Sequence, residues 1–84
     1  MPNELLSIRY TTTVGDHEIR IRVSQTGSRR FVVLKNSANV PGGLGIASGT
    51  IHWGTKQPVR YDPGSQAPLN FSEHILRASY DMYR

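Results

Sequence analysis

Apolar and polar residues alternate along the first third of the chain, and two Gly-containing segments interrupt the alternation. The period of two runs through residues 5–14, 17–25 and 29–35. A period of two places alternate side chains on opposite faces of a strand. Because short Gly-containing segments connect antiparallel strands, this pattern predicts a three-stranded meander.

The first turn fixes a register for the first two strands. If Gly15 and Asp16 form a two-residue turn, Val14 faces His17 and each apolar residue further along meets an apolar or Thr partner. The same register places Arg9 opposite Arg22 on the other face. A slip of one residue would move every side chain to the wrong face, so the pattern favours this register strongly.

The second turn allows two loop lengths. A two-residue loop would place Val23 opposite Arg30, whereas a three-residue loop at 26–28 places Val23 opposite Phe31. We predict the three-residue loop because it pairs apolar residues. The predicted core face then consists of Leu6, Ile8, Tyr10, Ile19, Ile21, Val23, Phe31 and Val33. The reverse face carries Arg9, Arg20, Arg22, Arg30, Val32 and Leu34.

The middle of the chain is rich in glycine. Residues 37–50 contain four Gly and one Pro without a helical period, which predicts a long Gly-rich loop. Apolar residues at the end of this segment predict a fourth strand over 46–53. A fifth strand is predicted over 57–61, where Pro58 limits it to a sheet edge or a strand start.

The C-terminal segment has the period of a helix. Apolar residues recur every three or four positions, which predicts an amphipathic helix over 71–83. Asn70 or Ser72 is the expected N-cap, and Glu73 completes the spacing of a capping box that begins at Asn70. The predicted fold is therefore α+β: a small, mostly antiparallel sheet, made of the meander and a second strand pair, with one C-terminal helix packed on it. A chain of 84 residues is expected to form one domain, 1–84.

The composition of the chain excludes several classes of protein. The chain has no Cys, so disulfides and thiolate zinc sites are excluded. No apolar run is long enough to cross a membrane, and the start lacks the features of an export signal, so we expect a cytoplasmic protein that does not bind membranes. Ten basic and six acidic residues give a formal charge of +4. Eight of the ten are Arg, whose planar guanidinium suits phosphate and carboxylate.

The sequence contains no strong catalytic motif. The three His residues lack metal-ligand spacing, and the Gly-rich segment lacks the Lys of a phosphate-binding loop, so we expect neither a metal site nor a cofactor. Nuclease-like chemistry would need the fold to bring together distant residues, of which His52, Arg60, His74 and Arg77 are the candidates. The sequence therefore predicts a protein that is not an enzyme.

The arginines carry the main functional prediction. Arg9, Arg20 and Arg22 are cross-strand neighbours in the predicted register, and we expect Arg29 and Arg30 to extend their patch. Like charges placed side by side are destabilising unless a partner supplies negative charge. We predict a binding module for an acidic partner, with the phosphates of DNA or RNA as the first choice. The predicted arginine face carries no aromatic residue, which argues against stacking of single-stranded bases.

A second hypothesis is a protein-binding adaptor or inhibitor that docks an acidic protein. Its interface anchors would be Trp53, Tyr61, Tyr80 and Tyr83. An open sheet edge would also allow a homodimer. The chain has no signature of a small nucleic-acid-binding fold, and such a lack is typical of rapidly diverging proteins of viruses and mobile elements.

Overall fold

A computed structural model describes residues 8–66 and 70–82, except for the side chain of Ile8. The elements are β1 (Ile8–Val14), β2 (His17–Val23), β3 (Arg29–Ser37), β4 (Val40–Ile51), β5 (Val59–Tyr61) and α1 (Phe71–Asp81). The strands form one antiparallel sheet in the order β1-β2-β3-β4-β5, and α1 packs on it. This confirms the predicted α+β fold, whereas α1 ends at Asp81 rather than at the predicted residue 83.

The β1–β2 hairpin has the predicted register. Val14 pairs with His17, Arg9 with Arg22, and the pairs between them follow in step. Gly15 has a φ of +59°, the sign that a type II′ turn requires at its first central residue. The first strand ends at residue 14 as predicted, and the second ends at residue 23 rather than at residue 25. Residues 5–7 of the predicted first strand, Leu6 among them, lie outside the described part.

The predicted β2–β3 register is wrong by two residues. Val23 pairs with Arg29 and Ile21 with Phe31. The hairpin has a three-residue loop, but it consists of residues 25–27, closed by a 2.9 Å hydrogen bond from the Ser24 amide to the Ser28 carbonyl. Gly27 ends this loop with a φ of +91°, as in a turn followed by a glycine bulge. A shift of two preserves the face of every side chain, so the core residues stay on the predicted side.

The predicted Gly-rich loop over 37–50 is also wrong. Residues 40–51 form the longest strand, and only residues 38 and 39 connect it to β3, which runs past its predicted end at 35 to Ser37. Two bulges accommodate the Pro and Gly residues in the ladder. One bulge contains Gly42 and Gly43 with φ of +83° and +90°, and a Cβ on Gly43 would lie 3.2 Å from the carbonyl of Lys35. Glycine therefore allows close strand pairing here instead of preventing a strand.

The connection between the last two strands is longer than predicted. β4 ends at Ile51 rather than at residue 53, and β5 begins at Val59 rather than at residue 57. Pro58 precedes β5 directly, because its missing N–H makes it suitable only at a strand start or an edge. The strand pair predicted from residue 46 onward is nevertheless present, with Thr50 opposite Arg60.

The core lies between one face of the sheet and α1. Its buried residues are Ile19, Ile21, Phe31, Val33, Ala47, Ile51, Phe71, Ile75 and Ala78. Gly49 is buried beneath Phe31, and a Cβ there would overlap the Arg60 carbonyl oxygen and lie 2.8 Å from Phe31 Cζ. Glycine at this position therefore allows β4 to lie close to both β5 and the Phe31 ring.

The start and the buried stripe of α1 differ in detail from the prediction. Asn70 is the N-cap, but it has a φ of +72° and its side chain makes no capping hydrogen bond, so the predicted capping box is not formed. Ser79 is fully buried with the apolar stripe, and its Oγ has no hydrogen-bond partner within residues 8–66 and 70–82.

Candidate functional site

A row of arginines crosses the face of the sheet that α1 leaves uncovered. Arg9 on β1 pairs with Arg22 on β2, and Arg22 pairs with Arg30 on β3. All three are exposed, while the buried residues of the same strands point towards α1. Arg20 lies two residues from Arg22 on the same side. We call the surface formed by Arg9, Arg20, Arg22 and Arg30 the arginine face.

The arginine face is open and slightly concave. Its four arginines line a depression of about 740 Å³, together with Val32 and the polar residues Thr11, Glu18 and Ser48. Adjacent strands lie about 4.8 Å apart, so the row from Arg9 to Arg30 extends over about 10 Å. Thr50 and Arg60 continue the row onto β4 and β5, although Arg60 lines a different groove at the sheet edge.

Two arginines of the face are held by carboxylates. Arg20 Nε donates a very short hydrogen bond to Glu18 on the same strand. Arg30 donates to Asp62 Oδ2 at 2.8 Å, and the Ser48 hydroxyl donates to the same oxygen at 2.8 Å. These bonds orient the two guanidinium groups, and both side chains stay about half exposed, at 51% and 57%.

The other two arginines of the face lack such a partner. Neither Arg9 nor Arg22 has a carboxylate within 4 Å among the residues that the structure describes. Arg22 lies between Arg9 and Arg30 in the row. The centre of the row therefore has an excess of positive charge that an external anion would neutralise.

Arg29 does not belong to this face, which corrects the predicted patch. It pairs with Val23 and Ile51, both of which are buried towards α1. Its guanidinium carbon lies 5.9 Å from the centre of the Trp53 ring, within cation–π range. Because side chains alternate along a strand, Arg29 shares the face of Phe31 and not that of Arg30.

The predicted interface anchors lie on the helix side or at the sheet edge. Trp53 and Tyr80 pack against each other with ring centres 4.6 Å apart, and Tyr80 is 66% exposed. Tyr61 contacts Phe31 edge to face at 5.4 Å, and its hydroxyl lies 3.3 Å from the Ser72 hydroxyl. Tyr83 lies outside the described residues. Trp53 and Tyr80 therefore do not share a surface with the arginine face.

The candidate catalytic residues are separated by the sheet. His52 Nε2 lies 2.9 Å from the Thr50 hydroxyl, on the side away from α1. His74 packs on Phe71 in α1, and His17 of β2 contacts the same ring. Arg60 lies on β5, and Arg77 is exposed on α1. The structure assembles no cleft from these four residues.

The described ranges, 8–66 and 70–82, contain no group of three or more His, Asp or Glu residues placed to hold a metal ion. They contain no helix with the length and apolar character that crossing a bilayer requires.

Sequence reasoning missed the residues that organise the arginine face. No sequence pattern places Asp62 or Ser48 beside Arg30, and Ser48 lies where the predicted loop 37–50 and the predicted strand 46–53 overlap. Only their positions relative to the strands could have indicated them. Ser48 alternates with the buried residues of β4 and so lies on the opposite face, and Asp62 directly follows β5. Comparison with known proteins adds nothing further, since no family model, no curated protein and no solved structure matches this chain.

Proposed function

We propose that this protein is a non-enzymatic module that binds the phosphate backbone of double-stranded nucleic acid through its arginine face. The observation that carries the proposal is the row of Arg9, Arg22 and Arg30 on three adjacent strands, with no carboxylate beside the first two among the described residues. Such a row is electrostatically unfavourable in the free protein and becomes favourable when phosphates lie along it.

The dimensions of the row fit a nucleic-acid backbone. The row is about 10 Å long, and the reach of its flexible guanidinium side chains extends it enough to contact about three phosphates of a duplex backbone. Arginine can donate two hydrogen bonds to one phosphate, and Arg30 is already oriented by Asp62. The Thr11 hydroxyl beside the row supplies a further donor of the kind that contacts phosphates.

The chemistry of the face favours a duplex over a single strand. Single-strand binding proteins stack bases on aromatic side chains between their cations. Thr11, Val32 and Ser48 lie between the arginines. Tyr10 and Phe31 also border the depression, but Phe31 is buried in the core and Tyr10 packs against it, so neither offers an exposed ring for stacking. A surface of this kind contacts the backbone and does not read bases, so we expect binding with little dependence on sequence.

The alternative partner, an acidic protein anchored by aromatic residues, is less consistent with this geometry. Trp53 and Tyr80 lie on the helix side of the sheet, and the arginine face lies on the other side. A single partner surface would have to wrap around the sheet edge to contact both. A phosphate backbone needs only the arginine face.

The test is the salt dependence of duplex binding. We expect the affinity for a labelled mixed-sequence duplex, measured by fluorescence anisotropy, to fall with salt at a slope of about −3 on logarithmic axes, because each phosphate contact contributes about −0.9. Arg9→Gln with Arg22→Gln should reduce this slope by about 2. The matched control is Lys35→Gln with Arg77→Gln, which removes the same charge from exposed positions outside the face.

Two outcomes would contradict the proposal. One is an equal loss of affinity in the double variant and in the control, which would show that only net charge matters. The other is tighter binding to a single strand of the same sequence than to the duplex, which would require stacking contacts that the arginine face does not provide.

A further inference from the structure

We propose a second binding site, independent of the arginine face: the groove between the edge of β5 and α1, which we infer binds an extended acidic peptide as an added β-strand. The groove has a volume of about 610 Å³. Its lining consists of Lys56, Gln57, Pro58, Val59, Arg60, Tyr61, Ser72 and Leu76. Three features support this site: the outward-facing backbone groups of β5, the walls of the groove and its charge.

The hydrogen-bond pattern of β5 shows which backbone groups point outward. The His52 amide donates to the Pro58 carbonyl at 2.7 Å, and the Asp62 amide donates to the Ser48 carbonyl at 2.8 Å. In an antiparallel ladder every second residue bonds to its neighbour strand, so residues 58, 60 and 62 bond to β4. The N–H and C=O groups of Val59 and Tyr61 therefore point away from β4, and no described strand lies beyond them.

The walls of the groove suit an extended chain. Leu76 of α1 and Val59 are both half-buried and supply apolar contact. The hydroxyls of Tyr61 and Ser72, 3.3 Å apart, connect strand and helix along the groove. A strand that pairs with Val59 and Tyr61 would place alternate side chains against α1, as in other cases of strand addition beside a helix.

The charge of the groove selects its occupant. Lys56 and Arg60 line it, and none of its lining residues is acidic. A second copy of the chain would bring its own Lys56 and Arg60 into the same edge, and like charges in close pairing are destabilising. A peptide with acidic residues at alternate positions complements both cations.

The experiment is an amide chemical-shift titration of the whole protein with the capped peptide Glu-Val-Glu-Val-Glu. We expect the largest shifts at Val59, Tyr61 and Leu76, with a dissociation constant of about 1 mM or tighter, as befits a few added hydrogen bonds. The capped peptide Lys-Val-Lys-Val-Lys should not bind. A Glu-Val-Glu-Val-Glu peptide that is N-methylated at alternate residues, so that one of its edges cannot donate, should also lose binding.

A charge variant provides the protein-side control. Lys56→Glu should weaken binding of the acidic peptide about fivefold, as expected for reversing one exposed charge near the ligand. Lys35→Glu makes the same change of net charge at an exposed site on another strand and should have little effect.

Three results would overturn the inference: shifts centred on Arg9 and Arg22, equal binding of the N-methylated peptide, or no shifts with the acidic peptide at millimolar concentration. The peptide titration reports on the groove beside β5, and the duplex measurements report on the arginine face. A negative result for one site therefore does not contradict the proposal for the other.

Discussion

Arg22 has an arginine on each side of it in the sheet, so its replacement should stabilise the free protein. Arg9 and Arg30 are its cross-strand neighbours, and of these two Arg30 alone has a carboxylate partner among the described residues. Arg22→Gln removes the charge at the centre of the row and retains much of the side chain's length. The change should therefore raise the free energy of unfolding, in contrast to the usual effect of a substitution.

The magnitude follows from the spacing of the row. Two unit charges about 6 Å apart at a surface in water repel by about 0.7 kcal/mol before screening. With a screening length of about 30 Å at 0.01 M salt, two such neighbours cost Arg22 about 1 kcal/mol. At 1 M salt the screening length is about 3 Å, and the same cost falls to about 0.2 kcal/mol.

Urea denaturation at the two salt concentrations measures this difference. We expect Arg22→Gln to exceed the wild-type free energy of unfolding by about 1 kcal/mol at 0.01 M salt, with the gain nearly absent at 1 M. Lys35→Gln is the control, because it removes one exposed positive charge outside the row. If Arg22→Gln destabilises the protein, or if its effect does not change with salt, repulsion between these arginines does not lower the free energy of unfolding.

Three further substitutions test particular contacts. Gly49→Ala should lower the free energy of unfolding by about 3 kcal/mol in urea denaturation, because its Cβ would overlap the Arg60 carbonyl oxygen and stand 2.8 Å from Phe31 Cζ; wild-type stability would refute the close approach. Ser79→Ala should raise it by about 1 kcal/mol, since the buried Oγ has no partner among the described residues, and a loss would indicate a hidden hydrogen bond. Asp62→Asn removes a negative charge beside Arg30 and should tighten duplex binding at low salt while the salt slope stays near −3, whereas weaker binding would assign Asp62 a positioning role.

The sequence was sufficient for the parts of the fold in which alternation and turn chemistry agree. Gly15 and Asp16 allow only one short turn that keeps both faces consistent, and the β1–β2 register is therefore as predicted. The next turn contains Gly27, which fits two different three-residue loops, so the register there was wrong by two. Pairing of apolar residues favoured the wrong loop, because a shift of two leaves every face unchanged.

The sequence did not predict the strand in which glycine residues allow close contact with a neighbouring strand. Gly42, Gly43 and Gly45 have the composition of a loop, yet they form bulges and close approaches against β3 that only the paired strand makes visible. Arg29 shows the opposite case. Arg29 lies two residues from Phe31, so the alternation of side chains along a strand already predicts that it shares the core face. Its neighbour in the chain, Arg30, lies on the opposite face.

The arginine face combines predictable and unpredictable features. The pairing of Arg9 with Arg22 follows from the first turn alone. The contact of Arg30 with Asp62 joins residues 32 positions apart in the chain, and it arises only because β5 returns to the edge of β4. Ion pairs of this kind have no local pattern, since any exposed acid can form them.

A titration of arginine side-chain Nε resonances with a mixed-sequence duplex tests directly whether the arginine face binds phosphates. We predict that the signals of Arg9, Arg22 and Arg30 shift together and return to their free positions when salt is added, while those of Arg29 and Arg77 stay unchanged. Equal shifts of Arg29 or Arg77, or shifts that leave out Arg9 and Arg22, would show that the row across the sheet does not bind the phosphate backbone.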